Sequence, residues 1–257
     1  MIRHSLLALA AGVMVLGIGL QPGQAEELSV AGSTTVASAV LLPYKSQIEE
    51  KTRLQIAIDA VGSGKGVLAL AEGRAQVAAI SAPLADVVQR LNTKKPGSVD
   101  GRTLQQHDIG STKVAFVIHP SNPVKDLTFE QITDILAGRI TLWSELGGVN
   151  MPIQIIAEPR GGGIRTMVEK TIGKWGDVLT KTHTMQSAAL VAFAVARMPN
   201  AIGIATHTSI DNSVFALKSD SVIEQPLFLV TRGAPDARMK KLIEAVRAIT
   251  LGKKAGA

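Results

Sequence analysis

Apolar positions along the chain follow two alternating patterns. Short apolar runs at Leu28–Ala31, Leu54–Val61, Gln76–Ile80, Lys113–Ile118, Ile153–Ala157 and Ala201–Ala205, and one within Val222–Val230, read as strands. Between them, Val36–Glu50, Val67–Glu72, Ala85–Leu91, Leu127–Ala137, about Ile164–Ile172, Ala188–Arg197 and Asp236–Thr250 carry helical patterns. Punctuation supports the division. Thr128 with Gln131 three residues later is a capping box, Gly138 ends that helix, and Ser187 caps a helix that stops before Pro199. Asn92–Arg102 is polar and holds Lys94-Lys95-Pro96-Gly97, a loop. Strands alternating with helices predict an α/β fold with mostly parallel sheets.

The beginning of the chain reads differently. Arg3 and His4 precede an apolar stretch, Leu6–Leu20, and Gly23-Gln24-Ala25 supplies small residues before Glu26. That is the layout of a cleavable signal peptide over residues 1–25. The apolar stretch falls short of the roughly 20 residues a bilayer span needs. No lipobox cysteine follows it. The 257-residue chain has no cysteine at all, which excludes disulfides, thiolate metal sites and cysteine nucleophiles. Its net charge of +6, or +5 once Arg3 leaves with the leader, is spread thinly. A spread excess favours small anions rather than a nucleic-acid stripe, and an aromatic content of 3% leaves few stacking platforms for bases.

Three turns carry the candidate chemistry. In LSVAGSTTV a strand runs into small hydroxylic residues and then a helix, so Ser33, Thr34 or Thr35 serves as its N-cap. The first N–H groups of a helix lack intrahelical partners and carry partial positive charge, which makes such a turn an anion seat. Gly62-Ser63-Gly64-Lys65-Gly66 repeats the device, as does Gly161-Gly162-Gly163, which Arg160 and Arg165 flank. In open α/β sheets ligands gather at such strand-to-helix turns, and an arginine fork matches an oxyanion. Hydroxyls, helix starts and one arginine make a shell for a tetrahedral oxyanion. Each turn alone also reads as ordinary capping and backbone geometry, with Lys65 a solvated lysine.

Other chemistries find little footing. The GSGKG run is not a P-loop: Asp59 stands at the first glycine position and Gly66 where Ser or Thr belongs. No glycine stands three residues after Gly64, so a G-x-G-x-x-G reading fails too. His107, His119, His183 and His207 lack metal-ligand spacing, and no serine sits in a G-x-S-x-G elbow. No nucleophile–base set can be named, so no enzyme, metal or cofactor is expected.

Six segments in order, VAGSTTV, VGSGKGVLALAEGRAQVAAISAPL, HPSNPVKDLTFEQITDILAGRITLWSELGG, EPRGGGIRTMVEK, SAALVAFAVARMPNAIGI and PLFLVTRGAP, resemble phosphate-binding-protein-like members of the type II periplasmic solute-binding proteins. The resemblance spans the chain after the leader, and the third segment is its most specific part. It implies two α/β lobes, 26–118 with 206–257 and 119–205, joined by two crossover strands hinged near His119 and Ala205. It also implies a periplasmic monomer that closes on phosphate or a related oxyanion and hands it to the permease subunits of an ABC importer. Carried over by position, the family's hydroxyls fall on Thr34, with Ser33 and Thr35 beside it, and on Ser63, next to Gly64. Two places depart from the family pattern. The aspartate that precedes Ala-Pro-Leu in phosphate binders is Ser81 here. The third turn, usually Arg-x-x-Gly-Ser-Gly-Thr, reads Glu158-Pro159-Arg160-Gly161-Gly162-Gly163-Ile164. Its donors are then Gly162 and Gly163 N–H with Arg160 or Arg165. A less selective oxyanion binder follows, or a cleft reassigned to a sensory or scaffolding partner of a membrane protein.

Overall fold

The computed structural model describes residues 27–173 and 182–254, with side chains to Leu251. The expected leader, residues 1–25, lies outside them. No helix among the described residues is long and apolar enough to cross a membrane. The strands are β1 (Glu27–Gly32), β2 (Gln55–Asp59), β3 (Val77–Ile80), β4 (Leu104–Ile118), β5 (Gln154–Ala157), β6 (Thr182–Thr184), β7 (Ala201–Thr206), β8 (Phe215–Ala216) and β9 (Glu224–Arg232). The helices are α1 (Thr34–Val36), α2 (Lys45–Thr52), α3 (Ser63–Ala71), α4 (Leu84–Lys94), α5 (Phe129–Leu136), α6 (Gly163–Ile172), α7 (Ala188–Val195) and α8 (Ala237–Lys254).

Strands pair in the order β2-β1-β3-β9-β4-β7-β5-β6, with β8 on β4. The expected parallel pairing holds inside each lobe, where β1 joins β2 and β3, and β5 joins β6 and β7. Every antiparallel pair involves β4 or β9, the strands at the crossing. In the first lobe the sheet is covered on both faces. Leu227 and Leu229 of β9 face one cluster with Leu242 and Val246 of α8, while Phe228 and Val230 face another with Val67 and Leu70 of α3. That split is the two-residue alternation of a strand. In the second lobe, Val117, Ile156, Ile164, Val191 and Ile202 share one core.

The chain changes core at places other than His119 and Ala205. Leu104–Lys113 of β4 pairs with β9, and Val114–Ile118 pairs with β7 and β8. The return comes at Ile223, whose carbonyl accepts from Val114 N–H at 2.9 Å. Val214, Leu217 and Ile223 all pack in the second core, so the segment from 206 to 223 belongs with that lobe. The first half of β4, LQQHDIGST, carries no apolar run, which hides it from a hydrophobicity scan. A bulge between Asp108 and Gly110, with Gly110 at φ 107°, bends this strand where the lobes meet. Helix α8 holds the bulge: Arg247 donates to the Asp108 carbonyl at 2.8 and 3.0 Å, and the Thr250 hydroxyl donates to the Ile109 carbonyl.

The segment LTFEQITDILAGRITLWSELGG folds for readable reasons. Thr128 Oγ1 accepts from Gln131 N–H while the Gln131 side chain accepts from Thr128 N–H, the expected capping box. Ile132, Ile135 and Leu136 share the buried face, and Trp143 is fully buried with its indole N–H on the Asn200 carbonyl at 2.9 Å. Elsewhere one contact fixes the first lobe's geometry. A Cβ on Gly66 would lie 2.4 Å from Gly32 Cα and 2.5 Å from the Ala31 carbonyl oxygen, so α3 packs backbone to backbone on β1. Gly66→Ala is therefore expected to destabilise the protein by about 1–3 kcal/mol. Gly173→Ala, which meets nothing within 4 Å, is expected to leave the urea midpoint nearly unchanged. Equal midpoints for the two variants would show that α3 does not need this close approach.

Candidate functional site

The three turns meet in one cleft of about 690 Å³, lined from the first lobe by Ser33, Thr34 and residues 60–65 and from the second by residues 158–163 and Gln186. On the first wall Ser33 is the N-cap of α1. Its Oγ accepts from Val36 N–H at 3.3 Å and donates to Ser81 Oγ at 2.9 Å. Thr34 stands at the cleft, whereas Thr35 is buried and does not line it. After one turn the helix widens into a π-helix, Ala37–Leu41.

The second wall is the start of α3. Gly62, at φ 94°, turns the chain so that Ser63 is already helical. The expected turn is thus the helix's own first turn, four residues earlier than its apolar pattern begins. The N–H groups of Ser63, Gly64 and Lys65 have no intrahelical acceptor, and no side chain of the N-cap takes one. Ser81, expected to touch ligand, is buried behind the wall and ties the pieces together. Its N–H donates to Ser63 Oγ at 3.4 Å, and its carbonyl accepts from Gln225 Nε2 at 3.1 Å.

On the third wall β5 ends at Ala157, Gly161 sits at φ 87°, and α6 begins at Gly163. A Cβ on Gly163 would come 2.1 Å from Ser81 Oγ, so the lobes touch at the cleft floor. Gly162 and Gly163 line the cleft, and Arg160 is exposed at its edge. Arg165 does not serve as expected. It is buried, with Nε on Glu169 Oε1 at 2.8 Å and Nη1 on the Glu158 carbonyl at 3.3 Å, and it does not line the cleft. Two residues past Gly163 the helix has turned about 200°, which points that side chain away from the opening.

Sequence reasoning passed over Glu158. This carboxylate lines the cleft yet is only 3% exposed. Its Oε1 has no hydrogen-bond partner, and its carboxyl lies beside the first turn of α6, where a Cβ on Gly162 would come 2.6 Å from Oε2. Burial pushes the carboxyl up to about 7, and the Ile164 N–H offsets only part of that. The available signal was its place: a charged residue directly after the buried strand QIIA, where the resembled family has arginine. Lys65 and Lys94 also line the cleft. No cluster of His or carboxylates able to hold a metal occurs among the described residues.

The carboxyl's ordinary value is 4.5 and its folded value about 7. Between these, the folded state keeps a proton that the unfolded state releases. Stability is therefore lost as pH rises through that window and is constant above it, with a total of about 3 kcal/mol. Glu158→Gln is expected to raise stability by about that much at about pH 8 and to change it little at about pH 4. Urea unfolding at the two pH values checks this, and a pH-independent difference would place the carboxyl in water.

The chain matches the PBP superfamily domain over residues 20–245. It is 29% identical over 197 residues to the phosphate-binding protein PstS of Bacillus subtilis, covering 76% of this chain and 62% of that relative. The chain thus spans less than two thirds of that curated relative's length. Among solved structures it superposes with a TM-score of 0.75 and 25% identity on a Clostridium perfringens protein named as a phosphate ABC transporter substrate-binding protein with bound phosphate, covering 89% of this chain and 98% of that one. An ABC-type phosphate transport receptor from Vibrio cholerae shares the fold at a TM-score of 0.61 and 22% identity, covering 89% of this chain and 96% of that one.

Proposed function

We propose, from the premise that the chain belongs to the PBP superfamily, that it is an exported, non-enzymatic solute-binding protein for phosphate or a related tetrahedral oxyanion. Convergence of three helix starts from two lobes on one cleft carries this reading. The oxyanion exchanges water for the Thr34 hydroxyl, the Ser63 hydroxyl and the N–H groups that open α3 and α6. Lys65, Lys94 and Arg160 give the opening a positive potential that draws anions in. Ser33 at the cleft and Ser81 behind it hold the two first-lobe walls in register.

Closure is a lobe movement about the β4–β9 crossing. Helices α4 and α6 meet across the cleft mouth, where Arg90 Nη1 donates to Thr166 Oγ1 at 3.2 Å and Lys170 pairs with Asp86. Such partly or fully exposed contacts are weak individually, which suits a closure that has to reverse. The closed monomer then presents its ligand to the membrane subunits of an ABC importer in the periplasm.

Titration calorimetry of refolded, ligand-stripped protein against phosphate, arsenate, sulfate, molybdate and small organic phosphates tests the reading. No heat with any of them would mean that the cleft has been reassigned. Thr34→Ala removes a hydrogen bond to a charged ligand, about 1.5–3 kcal/mol, and is expected to weaken binding about tenfold or more. Arg165→Ala is expected to lower the melting temperature while changing affinity less, and the reverse ranking would put Arg165 on the ligand.

A further inference from the structure

An anion site that carries a buried carboxylate is a contradiction that the geometry resolves. The start of α6 is the third anion seat, and the Glu158 carboxyl lies beside it. Its Oε1 is buried and unpartnered in a residue that lines the cleft. A Cβ on Gly162 would lie 2.6 Å from Glu158 Oε2, and one on the adjacent Gly163 would meet Ser81 Oγ. The carboxyl and the Ser33–Ser81 hydroxyl pair therefore flank the same Gly162–Gly163 peptide. An ionised Glu158 would repel any oxyanion placed there. A protonated one is a hydrogen-bond donor for it.

We infer that Glu158 couples anion binding in this cleft to a proton: a tetrahedral oxyanion enters against the protonated carboxyl, which donates to it. This rests on the oxyanion reading above and goes beyond it. It also reverses the logic of an ionised carboxylate that rejects unprotonated anions, since a neutral carboxyl admits fully ionised ones. With sulfate above neutral pH, the step takes one proton from solvent onto Glu158 and forms an O–H···O hydrogen bond to the bound sulfate. With phosphate, the dihydrogen form brings that proton itself, so the same complex arises from the ionised carboxyl.

The surroundings assign the titration to Glu158. From α6, Arg165 contacts only the Glu158 carbonyl and is paired with Glu169. From β6, His183 lies in register with Ile156, two residues away along β5. Lys65 of α3, Lys94 of α4 and Arg160 line the cleft, and no ion pair joins any of them to this carboxyl among the described residues. Burial holds the Glu158 carboxyl at about 7, inside the working range.

Sulfate is the clean probe because it does not itself titrate near neutrality. Calorimetry with sulfate from about pH 5.5 to about pH 9, in two buffers of different ionisation enthalpy, reads both affinity and proton uptake. Wild-type affinity is expected to fall as pH rises, by tenfold per pH unit wherever the unliganded carboxyl is ionised, with uptake there approaching one proton per anion. Glu158→Gln, whose amide keeps a donor and an acceptor, is expected to bind sulfate with no such slope. An equal slope in that variant, or no proton uptake by the wild-type protein, overturns the inference and leaves the oxyanion reading standing. Phosphate binding with sulfate refused at about pH 5.5 also overturns it, because the carboxyl would then be an acceptor. No binding of either anion at any pH overturns the oxyanion reading as well.

Discussion

Helix starts leave backbone N–H groups without partners, and this fold aims three such starts at one point. The remaining architecture follows from holding them there. Parallel strands β1, β2 and β3 bring the openings of α1 and α3 to the same edge, and β5 brings α6 to the facing edge. The close approach of Gly66 to Gly32, and of Gly163 to Ser81, sets the spacing. A side chain at either glycine would force the walls apart by more than a hydrogen bond tolerates.

The three starts are satisfied to different degrees, and that orders their importance. Ser33 caps α1 with its own hydroxyl, so that seat is partly spent. The Glu158 carboxyl is buried beside the start of α6, so an ionised Glu158 competes with an anion for that seat. Helix α3 has a glycine N-cap and no side-chain acceptor. Its N–H groups at Ser63, Gly64 and Lys65 are the ones that a ligand meets with the least competition. On the proposed oxyanion reading, recognition therefore leans on α3, with Thr34 beside it and Glu158 opposite.

Much of this was legible in the chain. The apolar runs located β1, β2, β3, β5 and β7 to within a few residues, and Thr128 with Gln131 announced the start of α5. The three glycine- or hydroxyl-rich turns did come together. What stayed hidden depends on tertiary context. Residues 104–112 are a strand because β9 pairs with them, not because their side chains alternate. Thr182–Thr184 and Phe215–Ala216 are too short to carry a period. Arg165 faces inward because α6 begins one residue before Ile164, and a helix register cannot be read from three consecutive glycines. The desolvation of Glu158 arises from tertiary packing and belongs to no local sequence pattern.

The hinge and the carboxyl are then linked by the same closure. On the proposed lobe movement about the β4–β9 crossing, opening separates Gly163 from Ser81 and lets water reach Glu158. In water its carboxyl returns toward its ordinary value and ionises at neutral pH. Closing removes that water, so closure without a ligand has to bury either a bare charge or a proton taken from solvent. An anion that accepts from the neutral carboxyl satisfies the oxygen that is otherwise unpartnered. The unliganded closed state is thereby disfavoured relative to the liganded one, and the same group that limits which anion enters also biases when the lobes shut.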